Sequence, residues 1–373
     1  MTTALVAGAL ANKAGNGGAA WTRLSWVLGL ASIGFDVHLV EQLDAGAGPD
    51  ATRWFETVVA GFGLAGRATL LDTSGGTLVG LQAADLADLA SGSPLLVNLS
   101  GHLKLDELTT TVGTRVFVDL DPGYTQLWDH EGTAPLAPHD HWYTVGASIG
   151  RPGCDLPTGG RRWRPVRQPV LLDHWPVAPT PDGSAFTTVA SWRGPFGPVH
   201  HHGDWLGGKA RELRKLVGLP ALVDVPLELA LEIDPADRAD QRALEESGWR
   251  VVDAAAVAGD PSSFRRYVQA SAGELSVAQG LYVHARTGWF GDRTTRYLAS
   301  GRPAVVQDTG FSADLPLGEG LLAFSDLAGA AAALEQVAAD PAHHGRAARA
   351  LVEEHFDARR VLSRLCEEVD VAP

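Results

Sequence analysis

Cysteine and lysine are scarce in this chain, and it has neither long apolar runs nor an excess of positive charge. Its 373 residues include two cysteines, Cys154 and Cys366. They lie far apart in the sequence, which gives neither a disulfide framework nor a metal-binding cysteine motif, so a reducing cytoplasm is the simplest expected location. No window reaches the roughly 18 consecutive apolar residues that a membrane-spanning helix needs. The formal net charge of −14 argues against nucleic acid as a partner, because phosphate-backbone binding needs a basic surface. Four lysines (Lys13, Lys104, Lys209, Lys215) stand against 26 arginines, a skew that, with abundant Ala and Gly, reads as GC-rich coding rather than as function. Met1-Thr2-Thr3 leads straight into the apolar run Ala4–Leu10, which is too short for a secretory core segment and is expected to be the first strand.

Hydrophobic residues make up 45% of the chain and charged residues 20%, as in a globular protein, and the length exceeds what one ordinary core supports. Two domains are therefore expected. Seven of the eleven tryptophans fall at or before Trp175. They are expected in the core and at the domain interface, with a mild preference for an apolar or aromatic small-molecule ligand in the first half.

Short apolar runs at Ala4–Leu10, Val37–Glu41, Leu95–Ser100, Val116–Leu120 and Trp142–Val145 read as strands, with a helix over Ala19–Ile33. Such alternation builds a parallel, doubly wound sheet. From Gly150 to Gly183 prolines and glycines crowd together, which reads as an interdomain connection. A second series follows: strands at Phe186–Ala190, Leu227–Ile233, Arg250–Val252 and Leu281–His284, with helices over Lys209–Val217, Asp240–Ser247 and Ser262–Ala270. Helical patterns over Leu327–Ala338 and Gly345–Glu368 close the chain.

The most informative stretch is Thr287–Gly310. Gly288 and Gly291 lie in a loop before a helix that opens with Asp292, Arg293, Thr294 and Thr295. The Gly301-Arg302-Pro303 turn ends that helix, Ala304-Val305-Val306 makes a buried strand, and Asp308-Thr309-Gly310 a second loop on the same sheet edge. Free N–H groups at the helix start favour a phosphate, and Arg and Thr add donors.

This order of elements resembles the donor-binding region of the two-domain GT-B glycosyltransferases, and Leu317–Phe324 is similar to the closing part of their donor domains. The resemblance implies an α/β fold of two Rossmann-like domains (GT-B architecture) joined by a Pro/Gly-rich linker. Residues 1–180 would bind an acceptor, 181–345 a nucleotide-sugar donor, and 346–373 would form a C-terminal helix packing back on the first domain. It implies a hexosyltransferase-type enzyme that uses a nucleoside-diphosphate sugar as co-substrate, a small-molecule acceptor, and neither cofactor nor metal.

Carried over by position, the diphosphate would be met by Arg193, Lys209, and the helix start with Thr287, Gly288, Asp292, Arg293 and Thr294. Asp308, Thr309 and Glu319 would bind donor hydroxyls, and the loop after strand one, with Gly17 and Gly18, would lie near the donor phosphates. The acceptor's proton would go to His102, whose ordinary pKa lies near neutrality, or to Asp121, which precedes a Pro-Gly turn. His200-His201-His202 with Asp204 reads as a flexible loop over the donor, because adjacent histidines do not readily face one ion.

One departure stands out: Arg296 occupies the place where retaining members carry a second glutamate, so the stereochemistry is open. A nucleotide-sugar epimerase on the same fold, or a non-catalytic nucleotide-binding partner protein, are the alternatives.

Overall fold

A computed structural model describes residues 2–373, which form two compact α/β units. The first comprises the chain up to Gly146, Pro157–Leu171 and Asp357–Pro373; the second comprises Ala147–Leu156 and Leu172–Phe356.

The first unit holds an eight-stranded sheet: β1 (Thr3–Ala7), β2 (Asp36–Gln42), β3 (Ala68–Leu71), β4 (Thr77–Val79), β5 (Leu95–Leu99), β6 (Thr114–Asp119), β7 (His141–Thr144) and β8 (Trp163–Pro165). The order is β4-β3-β2-β1-β5-β6-β7-β8, parallel except for the β3–β4 pair. Its central strands β1 and β5 are buried almost throughout, which is why they read as short apolar runs without alternation. The helix Gly17–Ser32 crosses from β1 to β2 and is capped by Asn16, whose Oδ1 accepts from Ala19 N at 2.8 Å.

The second unit's six-stranded parallel sheet contains β9 (Phe186–Ser191), β12 (Leu227–Glu232), β13 (Arg250–Asp253), β14 (Gly273–Ser276), β15 (Ala304–Gln307) and β16 (Leu321–Phe324), ordered β13-β12-β9-β14-β15-β16. A two-stranded hairpin, β10 (Val199–His201) and β11 (Asp204–Leu206), follows β9. Leu229, Leu275, Val305 and Leu322 of the sheet pack with Leu213, Leu244 and Leu334 of the flanking helices into one core.

In both sheets the chain starts in the middle, builds outward to one side, then returns to build the other. Numbered within each unit, the parallel strands run 3-2-1-4-5-6 in the second unit and the same with a seventh strand added at the far edge in the first, the dinucleotide-fold order. The direction reverses between β1 and β5 in the first unit and between β9 and β14 in the second. In such sheets ligands bind beyond the carboxyl ends of the strands at that reversal.

Three expectations need correction. The Pro/Gly-rich stretch is not one linker ending near residue 180: the chain changes unit after Gly146, Leu156, Leu171 and Phe356. Its prolines flank β8 and the buried Val170 and Trp175, so their density marks extended, packed backbone. The closing helical pattern is two helices, Pro341–His355 in the second unit and Ala358–Glu368 in the first, separated where Asp357 caps the latter. Leu281–His284 is not a strand but part of the helix Gly280–His284; the strand is β14, Gly-Glu-Leu-Ser, whose polar residues broke the apolar run expected of a buried strand.

Candidate functional site

In the second unit, the reversal between β9 and β14 is spanned by one side chain. Arg293, the second residue of the helix Asp292–Ala299, donates from Nε to Glu274 Oε1 at 2.6 Å, from Nη1 to Val189 O at 2.7 Å and from Nη2 to Ser276 Oγ at 2.9 Å. Val189 lies on β9, and Glu274 and Ser276 on β14, so the guanidinium ties the two central strands at their carboxyl ends. Glu274 is fully buried and its Oε2 has no hydrogen-bond partner. Such an orphaned carboxylate oxygen is costly unless a further donor reaches it.

Lys209 supplies the second cation here. It opens the helix Lys209–Arg214 in the connection from β9 to β12. Burial, then the charge of Arg293, pushes its ammonium down to about 7, against the opposing pull of Glu274 and Asp292.

The Gly288 loop is built for close backbone approach. Gly288 has φ +71°, and a Cβ there would lie 2.8 Å from Ser148 N and Oγ. Ser148 N donates to Thr287 O at 3.0 Å, so the Ala147–Leu156 segment lines this loop. Gly288 N in turn donates to Thr309 O at 2.8 Å, joining the loops that precede the helix and follow β15.

Several expected donor side chains are occupied or enclosed within the protein. Thr287 Oγ1 accepts from Trp289 N (3.3 Å) and Thr309 Oγ1 donates to Trp289 O (2.5 Å), both from fully buried residues. Thr294 is fully buried and its Oγ1 has no partner. Asp308 folds its own loop, accepting from Gly310 N and Ser312 Oγ at 2.8 Å each. Asp292 receives Arg296 Nη1 at 2.9 Å, so the departure residue is a buried cation paired within its own helix.

Two further expected donor residues are largely exposed. Glu319 precedes β16 and so stands at the amino ends of the strands, its side chain 70% exposed and 3.4 Å from His343. The sequence placed it by motif and not by strand polarity. Arg193 is 61% exposed and forms a two-point pair with Asp237, Nε–Oδ2 2.7 Å and Nη2–Oδ1 3.2 Å, rather than presenting a free guanidinium.

In the first unit, the loops after β1 and β5 meet at the corresponding reversal. Glu41, at the end of β2, accepts from Ala11 N (2.6 Å) and Asn12 N (2.8 Å) and fixes the loop that leads to Gly17 and Gly18. Burial pushes its carboxyl up to about 7, opposed by those N–H groups and by Arg23. Glu41 was missed in the sequence, although an acid inside the buried run Val37–Glu41 was the visible signal.

His102 is pushed down to about 3, first by burial, then by Arg23, Lys13 and Lys104. The premise that it titrates near neutrality is therefore corrected: it is neutral but weakly basic. Asp121 sits on a loop pinned by fully buried Asp119, which accepts from Asp121 N, Thr125 Oγ1, Gln126 Nε2 and Thr144 Oγ1 at 2.6–3.0 Å. Beside Lys104, a cavity of about 280 Å³ is lined by Leu71, Ser74, Leu86, Leu105 and Leu108 among others.

The histidine run divides. His200 packs edge-on against Trp205 (5.6 Å), while His201 and His202 turn to Asp155 of the Ala147–Leu156 segment. Asp204, which follows the histidines in sequence, is not in that cluster. No helix among the described residues is long and apolar enough to cross a membrane.

No protein-family model and no curated protein matches the sequence. Solved structures match over essentially its full length. A sucrose-phosphate synthase from Thermosynechococcus elongatus has TM-score 0.54 at 13% identity, covering 99% of both chains. An alpha-glucosyltransferase in complex with UDP has TM-score 0.58 at 10% identity, covering 99% of this chain and 100% of that one. An Anabaena HepE in complex with UDP and glucose has TM-score 0.57 at 11% identity, again covering 99% and 100%. The fold is that of the GT-B glycosyltransferases.

Proposed function

We propose that this chain is a glycosyltransferase that moves a sugar from a nucleoside-diphosphate sugar, held by the second unit, to a small-molecule acceptor held by the first. The observation that carries this reading is the Lys209–Arg293–Glu274 group at the β9/β14 reversal: two cations and an unpartnered carboxylate oxygen at the fold's ligand-binding edge. A diphosphate brought there would meet Lys209 and the start of the helix Asp292–Ala299, while Arg293 ties β9 to β14. Glu274 Oε2 would accept from a donor hydroxyl or from the charged Lys209. Thr287, Gly288 and Thr309 would act through backbone, since their loops are already knit together.

On the acceptor side, the weak basicity of His102 favours Asp121 as the group that accepts or orients the proton. The 280 Å³ cavity supports a small acceptor. One structural neighbour is described with UDP-glucose and DNA containing an abasic site. For this chain the charge of −14 weighs against such a polyanionic acceptor.

The test is a thermal-shift screen against UDP, TDP, GDP and ADP and their sugars. A ligand at 100 times its dissociation constant stabilises the folded state by about 2.7 kcal/mol. Lys209→Met should weaken the responding nucleotide at least about tenfold, as expected for one charge-assisted contact of about 1.5–3 kcal/mol. If no nucleotide shifts the melting point, the donor site is wrong. Donor turnover without any acceptor would point to an epimerase instead.

A further inference from the structure

The hairpin β10–β11 interrupts the connection from β9 to Lys209, and its turn is built against local preference. His201 pairs with Asp204, which leaves a two-residue loop of His202 and Gly203 with φ +50° and +88°. Such loops favour glycine or asparagine at the first position, because a side chain such as histidine is strained in the left-handed region. The strained turn brings the two rings side by side, centroids 4.1 Å apart. His201 Nε2 then lies 3.2 Å from Asp155 Oδ1, and His202 Nε2 lies 2.6 Å from Asp155 Oδ2. One ligand-type atom from each of the three residues falls within 4.8 Å of the others. Strand alternation sends His200 to the opposite face, onto Trp205.

We propose that Asp155, His201 and His202 form a divalent transition-metal site, with Zn²⁺ as its best-fitting occupant. Two imidazole nitrogens and one carboxylate are a borderline donor set that suits Zn²⁺ and its neighbours rather than Mg²⁺ or Ca²⁺. Bonds of about 2.0–2.2 Å in tetrahedral geometry separate ligand atoms by about 3.3 Å. The observed separations of 3.2 and 2.6 Å reach that with small side-chain movements. Asp155 and His202 are 60% and 66% exposed, which leaves the fourth position to solvent.

The site joins segments far apart in sequence. Asp155 belongs to the segment whose Ser148 buttresses the Gly288 loop, and the histidines belong to the hairpin that leads to Lys209. Bound metal would clip the hairpin to that segment and take no part in chemistry. The site is independent of the proposed transfer activity, and its test does not read activity.

The experiment uses full-length protein carrying no affinity tag and stripped with a chelator. Zn²⁺ is titrated by calorimetry, Co²⁺ by its visible absorption, and Mg²⁺ serves as a control. One equivalent of Zn²⁺ and of Co²⁺ should bind, and Mg²⁺ should not compete. His201→Ala, Asp155→Asn and His202→Asn should each weaken binding at least about tenfold, while His200→Ala leaves it unchanged. His202→Asn suits the left-handed turn and removes the ligand without disturbing the hairpin. Zn²⁺ should also slow proteolysis between Val199 and Leu206 in the wild type and not in His202→Asn. Absence of stoichiometric binding, equal binding of Mg²⁺, or binding that survives all three ligand substitutions would overturn the site.

Discussion

Lys209 links the electrostatics of the donor edge to a measurable proton. Its folded-state value near 7 lies below the ordinary 10.5, so between these values the unfolded chain binds more protons than the folded one. The penalty of holding it charged is therefore greatest below about pH 7 and is released as pH rises toward 10. Thermal melts should show stability rising across that window, with the slope reduced in Lys209→Met. The same residue should take up close to one proton when a nucleoside diphosphate binds near pH 8. Calorimetry in buffers of different ionisation enthalpy reads this directly, and binding without proton uptake would remove Lys209 from the phosphate site. Across the sheet edge in the first unit, Asp121→Asn should spare nucleotide binding and lower transfer by about 10²–10⁴-fold, the usual span for a lost proton acceptor. His102→Ala should leave the pH dependence of transfer near neutrality in place, because the wild-type imidazole does not titrate there. Lys209 and Arg293 were legible in the sequence as cations near a phosphate loop. Glu274 was not, because a carboxylate inside a four-residue buried strand disguises the strand and, with it, the site that the strand carries.

Elements packed at close range give the sharpest stability tests. The helix Ala358–Glu368 lies on the helix Gly17–Ser32 at a point where only glycine fits: a Cβ on Gly29 would stand 2.5 Å from Leu362 Cδ1. Leu362→Ala should cost about 2–5 kcal/mol through lost burial and the cavity left behind. Gly29→Ala alone should destabilise by overpacking, about 1–3 kcal/mol, offset in part by the better helix propensity of alanine. The double substitution places the new methyl group where the leucine had been. Denaturant titrations should therefore show it more stable than the sum of the single effects. Additive losses would mean that the two helices do not meet there. The helix Ala19–Ile33 and the strands β1, β2, β5, β6 and β9 were readable because each is long, apolar and flanked by glycine or polar loops. The edge strands β4 and β8, the short β3 beside β4 and the polar β14 were not, since three or four residues carry too little period to separate strand from loop.

At the scale of the whole chain, the path matters more than the residue count. A cut near residue 180, where proline and glycine are densest, would separate the first unit from Asp357–Pro373, which closes it. That last segment covers Gly29, bonds Ala358 N to Val170 O at 3.0 Å, and brings Glu368 to Tyr143 OH at 2.9 Å. Removing it uncovers the apolar face of the helix Gly17–Ser32, so a fragment ending at residue 180 should fail to fold alone. The second unit keeps its sheet, its core and the Lys209–Arg293–Glu274 group within Ala147–Leu156 and Leu172–Phe356. A chain ending at Phe356 should therefore show early proteolysis confined to its first 146 residues and to Pro157–Leu171, while the remainder still gains heat stability from the nucleotide that stabilises the intact protein. Mass spectrometry of a limited digest, with and without that nucleotide, reads both halves of this expectation. Loss of nucleotide protection in the truncated chain would mean that the donor site needs the first unit to form, and that the β9/β14 edge alone does not hold the ligand.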